Sequence, residues 1–462
     1  MLYKIEDIKK IKKKVYGVIG FPIKHSMSPE IHKPLFEKNN INKDYIIVEI
    51  QPQKIKEAIL ILKEHFEGFN CTIPFKEIII PFIDVLDKKA EFYGAVNTVK
   101  IIDGKLYGYN TDGDGFNYAI KKANIALDNQ KVLIFGAGGV SRVMAFEAAL
   151  KNSNISIFDI DFDKAKNLCT EIKEKIKGTN IKALKNQNED IEDIYDIILN
   201  GSPVGMWDKI SRMPANIEII KNAKAVFDTI YNPNITKLLL TAKENGCIIQ
   251  GGLPMLVGQA VSAQKIWFDT EFNEKDIEEI IFNTSKSLKQ KFKYNIILSG
   301  FMGSGKTTVG KIISKKLKRD FIDLDKYIEK KGSTIPEIFS NLGEKGFRLI
   351  ESECLNEVLC SKGAVISLGG GTITVNENVE AIKNTASYLV FIKVSNDCIK
   401  KRVGNGLGRP LLSNEDIDYK VNVLYKQRLP QYINTADLIV DGDKNLNDVV
   451  NSIISKLRLL EE

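Results

Sequence analysis

Residues 300–307 read GFMGSGKT, a complete GxxxxGK[ST] loop directly behind the apolar run IILS. Its glycines let successive main-chain N–H groups wrap phosphate oxygens, Lys306 reaches the β/γ oxygens, and the Thr307 hydroxyl suits Mg²⁺. Gly303, Ser304, Gly305 and Thr308 complete the cradle, and VGKIISKKL supplies a helix whose N-terminus faces the anion. Two carboxylates follow in FIDLD. The spacing of Asp323 and Asp325 predicts a strand with both on one face, one to support the metal and one to take a proton from a hydroxyl. In GEKGFRLIE, Arg348 stands one helical turn before Glu351, so the acid can orient the guanidinium. Beyond it lie Gly369, Gly370 and Gly371 after AVISL, then GRPLL at 408–412 and QRLPQYINTAD at 427–437.

A second phosphate-binding signal occurs earlier. IFGAGGVSR, ending at Arg142, follows KVLIF and opens the apolar helix VMAFEAAL. Gly136, Ala137, Gly138, Gly139 and Val140 form a dinucleotide loop of the pattern GxGxxS, in which Ser141 stands where a third glycine would govern helix packing. Asp159, after the next strand, is placed to meet a ribose.

The elements that carry these loops repeat one rhythm. Short apolar runs (VYGVIG, YIIVEI, KVLIF, ISIFD, DIILN, AVFDTI) alternate with helix-sized amphipathic stretches, which implies parallel α/β sheets. The rhythm restarts at YNIILSG after a polar stretch over 271–293. The expected organisation is an α/β domain over 1–112, to which a helix at 260–285 returns. A Rossmann-type dinucleotide domain follows over 113–259, then a linker over 286–293 and a P-loop domain with a parallel sheet over 294–462.

The bulk properties fit this division. A chain of 462 residues with 44% hydrophobic and 27% charged residues is globular and holds two or three domains. A net charge of +7, spread along the chain, argues for anionic small ligands and not for nucleic acid. Lys9 to Lys14 is read as a solvated helix start. The first residues show no secretory pattern and no apolar run reaches the length of a membrane span, so a cytoplasmic location is expected. Six scattered cysteines without a CxxC pair read as free thiols, and three histidines exclude a His-rich metal centre. Lysine dominates the cations, yet Arg348, Arg402, Arg409 and Arg428 fall in the last quarter, where the planar fork of guanidinium is wanted.

The ordered set from the P-loop to QRLPQYINTAD resembles the shikimate kinase family over about 292–462. The resemblance implies that Asp325 bonds the hydroxyl to be phosphorylated and that Asp323, with Thr307, assists the metal. It further implies that Arg348 and Arg428 grip the substrate carboxylate while Gly369 to Gly371 approach the ring, that Arg409 reaches the ATP phosphates and that Arg402 flanks the adenine. Upstream, GFPIKHSMSP (20–29), NCTIPFKE (70–77), GAVNT (94–98), NTDGDG (110–115), YNPNITKLL (231–239) and GGLPMLVGQA (251–260) resemble the shikimate dehydrogenase family in its own order. That family implies that Ser26, Ser28, Thr72, Asn97 and Gln259 bond the substrate's hydroxyls and carboxylate with Tyr231 nearby, that Gly252 joins the cofactor site, and that Lys76 and Asp112 form the acid–base pair. A lysine ammonium held by a carboxylate can quench the alkoxide formed when hydride reaches a ketone, with no metal required.

The two resemblances imply consecutive reactions: reduction of 3-dehydroshikimate to shikimate by NADPH or NADH, then phosphorylation of shikimate by ATP with Mg²⁺. The expected partners are these small molecules, with no nucleic acid, no membrane and a homodimer through the dehydrogenase half. Many relatives carry an Asn-Arg-Thr segment that meets the 2′-phosphate of NADP, whereas this chain reads FDIDFDK, with Asp159 and Ile160 in place of Asn and Arg and Lys164 as the nearby cation. This points to NADH. Quinate is an alternative substrate. A rival reading, a metabolite-sensing regulator without catalysis, would keep the serines and lose Lys76, Asp112, Lys306 or Arg348, all of which are present.

Overall fold

The first sheet has a parallel core with an antiparallel hairpin grafted on its side. In a computed structural model describing residues 2–185, 194–403 and 417–461, it comprises β1 (Leu2–Lys4), β2 (Val15–Gly20), β3 (Tyr45–Glu49), β4 (Phe66–Cys71), β5 (Val85–Leu86), β6 (Thr98–Ile102) and β7 (Lys105–Tyr109). Their order is β1-β3-β2-β4-β6-β7-β5, with β6 antiparallel to both β4 and β7. The strand–helix rhythm implied parallel sheets, and β1 to β4 follow it. The exception comes from Asp103 and Gly104, both at positive φ, which make the two-residue turn that only an antiparallel hairpin uses.

The second sheet is wholly parallel: β8 (Lys131–Phe135), β9 (Asn154–Phe158), β10 (Ile181–Leu184), β11 (Ile197–Asn200), β12 (Ala225–Asp228) and β13 (Ile248–Gln250), in the order β10-β9-β8-β11-β12-β13. This is the doubly wound Rossmann order, whose ligand crevice opens where the winding reverses between β8 and β11. Val132, Ile134, Phe146, Ile157 and Leu199 are fully or almost fully buried beneath it.

The chain then returns to the first sheet. In the helix Leu253–Phe268, Trp267 donates its indole N–H to the Val99 carbonyl at 3.0 Å, and its ring lies 4.8 Å from that of Tyr16. The next helix, Glu274–Lys291, buries Ile277, Ile280, Thr284 and Leu288 along one stripe. That period carries helical structure through 286–291, residues expected as linker.

The third sheet is also parallel, formed by β14 (Asn295–Ser299), β15 (Phe321–Asp323), β16 (Val365–Ser367), β17 (Ser387–Lys393) and β18 (Leu438–Asp441) in the order β15-β16-β14-β17-β18. The phosphate loop leaves the central strand β14. The chain divides into two compact units, Met1–Pro203 with Pro214–Asn234 and Leu238–Leu288, and Lys289–Glu462 with Val204–Met213 and Ile235–Lys237. Among the described residues, no helix is long and apolar enough to cross a membrane.

Candidate active sites

In the first unit, Lys76 sits on the short helix Phe75–Ile78, just past the end of β4. Its Nζ lies 2.5 Å from Oδ2 of Asp112, the first residue of the helix Asp112–Lys122. Both are largely shielded, with side-chain exposures of 14% and 8%, so the pair has little water to screen it. Asn97 fixes the carboxylate from the other side: its Nδ2 donates to Asp112 Oδ1 at 2.8 Å and to Thr111 Oγ1 at 3.0 Å. Asn97 Oδ1 in turn accepts the Thr111 main-chain N–H at 2.8 Å. Behind this lies a buried polar row in which the Tyr45 hydroxyl donates to Asn70 Oδ1 at 2.6 Å and Asn70 Nδ2 donates to Thr98 Oγ1 at 3.0 Å.

The Ser26 hydroxyl donates to Ser28 Oγ at 3.1 Å, and Thr72 closes the turn into the Lys76 helix by accepting the Phe75 N–H at 2.8 Å. Gln259 Oε1 lies 3.5 Å from Thr111 Oγ1. Tyr231, three residues beyond β12, has its phenol pushed up by burial.

The dinucleotide loop joins β8 to the helix Gly139–Leu150. Asp159, just past β9, turns both carboxylate oxygens onto backbone: Oδ2 accepts the Ala137 N–H at 2.7 Å and Oδ1 the Asp161 N–H at 2.9 Å. Ile160 is 98% exposed. Lys164 is exposed and pairs with Asp161 at 3.6 Å. Ser141 is fully buried, packed where its hydroxyl would meet a Cβ on Gly201 at 2.1 Å. The serine thus occupies the helix–strand contact that a glycine would leave open. Gly252 begins the helix Leu253–Phe268, and its N–H donates to the Ile230 carbonyl at 2.9 Å.

In the second unit, the helix Lys306–Leu317 starts inside the phosphate loop. Lys306 Nζ donates to the Gly300 carbonyl at 2.8 Å and the Phe301 carbonyl at 3.1 Å, holding the ammonium over the loop. The Thr307 hydroxyl donates to Asp323 Oδ2 at 2.8 Å. Asp323 ends β15 and also caps the helix Leu324–Glu329, so Asp325 stands in the first helical turn and not on the expected strand. The cap forces this: a strand cannot continue through a residue whose carboxylate accepts the N–H three residues on.

Asp325 is pushed up to about 6, chiefly by burial; Lys306 opposes the shift, and Asp323 and Glu351 add like charge. The fully buried Glu351 joins the parts of this site. Its Oε2 accepts from Arg348 NH1 at 2.6 Å and its Oε1 accepts from the Thr372 hydroxyl at 2.6 Å. Burial opposes the charge on Arg348, but Glu351 and Glu344 outweigh it and hold the guanidinium above its ordinary range. A Cβ on Gly371 would lie 2.2 Å from Arg348 NH2, so a side chain there would displace the guanidinium. Arg428, also buried, donates to the Gly370 carbonyl at 3.1 Å, and the Tyr432 hydroxyl donates to the same oxygen.

Known proteins decide what these two sites belong to. The chain is 38% identical over 275 residues to a shikimate dehydrogenase (NADP(+)) of Methanocaldococcus jannaschii, covering 59% of this chain and 97% of that one. This chain belongs to the shikimate dehydrogenase family. The family model for the shikimate dehydrogenase substrate binding domain matches residues 18–99, and that for shikimate kinase matches residues 302–458. Among solved structures, a shikimate dehydrogenase in complex with NADP+ aligns with TM-score 0.54 at 37% identity, over 59% of this chain and 96% of that one. A chorismate mutase/shikimate 5-dehydrogenase fusion from Clostridium acetobutylicum aligns with TM-score 0.56 at 30% identity, over 60% and 100% of the two chains. A third, from Listeria monocytogenes in complex with shikimate and NAD, gives 0.53 at 31% identity, over 58% and 96%.

In this shikimate dehydrogenase half, the sequence-named residues Lys76, Asn97 and Asp112 are joined by hydrogen bonds, and Gln259 reaches the same group through Thr111. Ser26 and Ser28 bond each other, while Lys164 faces Asp161 instead of Asp159. In the shikimate kinase domain, Lys306, Thr307, Asp323, Asp325, Arg348, Arg428 and the three glycines share one site, and Thr308 is exposed on the helix. Arg402 NH2 donates to the Gly442 carbonyl at 3.2 Å. Arg409 lies outside the described residues. Four participants were missed: Thr111, Asn70, Thr372 and Tyr432. Asn70, Thr111 and Tyr432 stand inside the quoted segments NCTIPFKE, NTDGDG and QRLPQYINTAD, and Thr372 directly follows the glycines, so position in or beside those motifs was the available signal.

Proposed function

We propose that this chain catalyses two consecutive steps: reduction of 3-dehydroshikimate to shikimate, and transfer of a phosphoryl group from ATP to a shikimate hydroxyl. The observation that carries the reading is the pairing, in one chain, of the shielded Lys76–Asp112 couple with the Asp325–Lys306–Arg348 site.

For the reduction, Asp112 holds the Lys76 ammonium in place, and Lys76 gives its proton to the carbonyl oxygen as that oxygen becomes an alkoxide. A reduced nicotinamide, when bound, supplies the hydride. Ser26, Ser28, Thr72, Asn97 and Gln259 hold the substrate's hydroxyls and carboxylate, with Tyr231 beside them. For the phosphorylation, Asp325 takes the proton of the attacking hydroxyl, Lys306 holds the phosphate oxygens, and Arg348 with Arg428 clamps the carboxylate of shikimate. The Thr307 hydroxyl and Asp323 carboxylate, 2.8 Å apart, are the hard oxygens Mg²⁺ prefers, and the ion would neutralise charge between phosphates there.

The cofactor reading is NADPH or NADH, with NADH favoured by Asp159 and by the absence of an arginine at exposed Ile160. Named relatives act with NADP(+), and the Listeria neighbour was crystallised with NAD. Assays of the purified full chain for both reactions test the proposal; loss of either activity in a folded preparation would overturn that half of it.

A further inference from the structure

Tyr93 ends the helix Lys88–Tyr93, which lies beside the first sheet, yet it is held at both ends by the helix that begins in the dinucleotide loop. Arg142 Nε donates to its carbonyl oxygen, and its hydroxyl donates to Glu147 Oε1. Glu147 Oε2 accepts from Asn117 Nδ2 at 2.7 Å, and Asn117 rides on the helix that Asp112 opens. Tyr93 and Glu147 are 3% and 8% exposed, so the carboxylate is committed to these two donors. An unmet donor or acceptor at such depth is costly, which makes the arrangement stiff.

This strap packs against the segments that carry the acid–base pair. A Cβ on Gly113, the residue after Asp112, would meet the Tyr93 hydroxyl at 2.6 Å, so the phenol is packed against the first turn of that helix. Three residues beyond Tyr93, the Val96 N–H donates to the Lys76 carbonyl at 2.7 Å. One residue further, Asn97 holds Asp112 Oδ1 at 2.8 Å. The segment 93–97 therefore connects the cofactor-loop helix to both members of the pair.

We propose that Glu147, acting through Tyr93 and Asn117, is a positioning residue for hydride transfer: it fixes the distance between the dinucleotide loop and the Lys76–Asp112 pair. The inference rests on the reading of that pair as acid and orienter given above. Glu147 spends its carboxylate on Tyr93 and Asn117. Its effect lies in the alignment of donor and acceptor, to which rate is sensitive while binding is not.

The test uses the full chain carrying Tyr93→Phe, Glu147→Gln or Asn117→Ala, with Lys76→Ala beside them. Shikimate oxidation is followed with shikimate deuterated at the reacting carbon, and phosphorylation by the same preparation reports that the chain is intact. The expected result for Tyr93→Phe and Glu147→Gln is a kcat lower by on the order of 10- to 100-fold. KM for shikimate and for the cofactor should stay within about twofold, the signature of a change confined to the transition state. The isotope effect on kcat should rise, and phosphorylation should be unaffected. Asn117 is exposed, so its alanine variant breaks one bond of the strap without opening the core, and a smaller change of the same kind is expected. A parent-like kcat in Tyr93→Phe and Asn117→Ala, or a raised KM with kcat unchanged, overturns the proposal. If Lys76→Ala is inactive in either of those cases, only the positioning role falls; if Lys76→Ala is itself active, the acid–base reading falls first.

Discussion

The Asp159 carboxylate accepts the Ala137 main-chain N–H at 2.7 Å, which ties the acid at the end of β9 to the turn that receives the dinucleotide. A negative charge is thereby fixed at the edge of the loop, with Asp161 and Asp163 close in sequence and Lys164 turned toward Asp161. A ribose 2′-hydroxyl can donate to such a carboxylate, whereas a 2′-phosphate is repelled. NADH should therefore serve at least as well as NADPH in shikimate oxidation or its reverse. Ile160→Arg places a cation on an exposed site and should raise relative kcat/KM for NADPH by about one to two decades. A tenfold or greater preference of the parent chain for NADPH would sink the idea.

The two chemistries should separate by single substitutions. Lys76→Ala removes the proposed proton donor and should cost on the order of 10²–10⁴-fold in ketone reduction while phosphorylation proceeds normally. Lys306→Ala should do the reverse. Steady-state assays of both reactions on each variant decide it, and near-parental reduction by Lys76→Ala would show that another group supplies the proton.

How much of this was legible beforehand differs between residues for physical reasons. Lys76 and Asp112 are 36 positions apart, and nothing in spacing alone joins them; the family resemblance did. The Arg348–Glu351 contact was readable from helical periodicity, because three residues is one turn. Asp325 was misplaced because FIDLD alternates like a strand, while the capping role of Asp323, which decides where the strand stops, depends on a tertiary fit. The antiparallel β6–β7 hairpin was signalled by Asp103-Gly104 but lost in the stronger parallel rhythm. Glu147 was invisible: an acid inside an alanine-rich helix reads as a solvent-facing position until the Tyr93 phenol and Asn117 are seen to meet it.

In the kinase domain, substrate affinity should rest on the geometry of Arg348 and not on its charge alone. Glu351 holds one arm of the guanidinium at 2.6 Å and Glu344 the other at 3.0 Å, which fixes the plane of the group. Arg348→Lys keeps the charge but loses the fork, so KM for shikimate should rise by roughly tenfold or more while KM for ATP changes little. Glu351→Gln should move KM in the same direction by less. Equal rises for both substrates would contradict a carboxylate clamp.

Asp325, as the proposed proton acceptor, should give phosphorylation a pH dependence opposite in sense to its effect on stability. Burial raises its carboxyl from the ordinary 3.8 to about 6. Below that value the group is protonated and cannot accept the hydroxyl proton, so kcat/KM for shikimate should climb with pH through about 6 and then level off. Folding runs the other way. A carboxyl that binds its proton more tightly when folded favours the native state fully below 3.8 and loses that contribution as pH rises through about 6. At neutral pH the ionised, poorly solvated carboxylate is therefore a cost that activity requires. Asp325→Asn removes the ionisation and should leave phosphorylation almost abolished, while the kinase domain unfolds at a higher temperature than the parent near pH 7. Thermal melts at pH 5 and pH 7.5 should show that gain shrinking at the lower pH. A variant no more stable than the parent at either pH would show that the carboxyl is not raised by burial, and a parent profile flat from pH 5 to 8 would remove Asp325 from the role of proton acceptor.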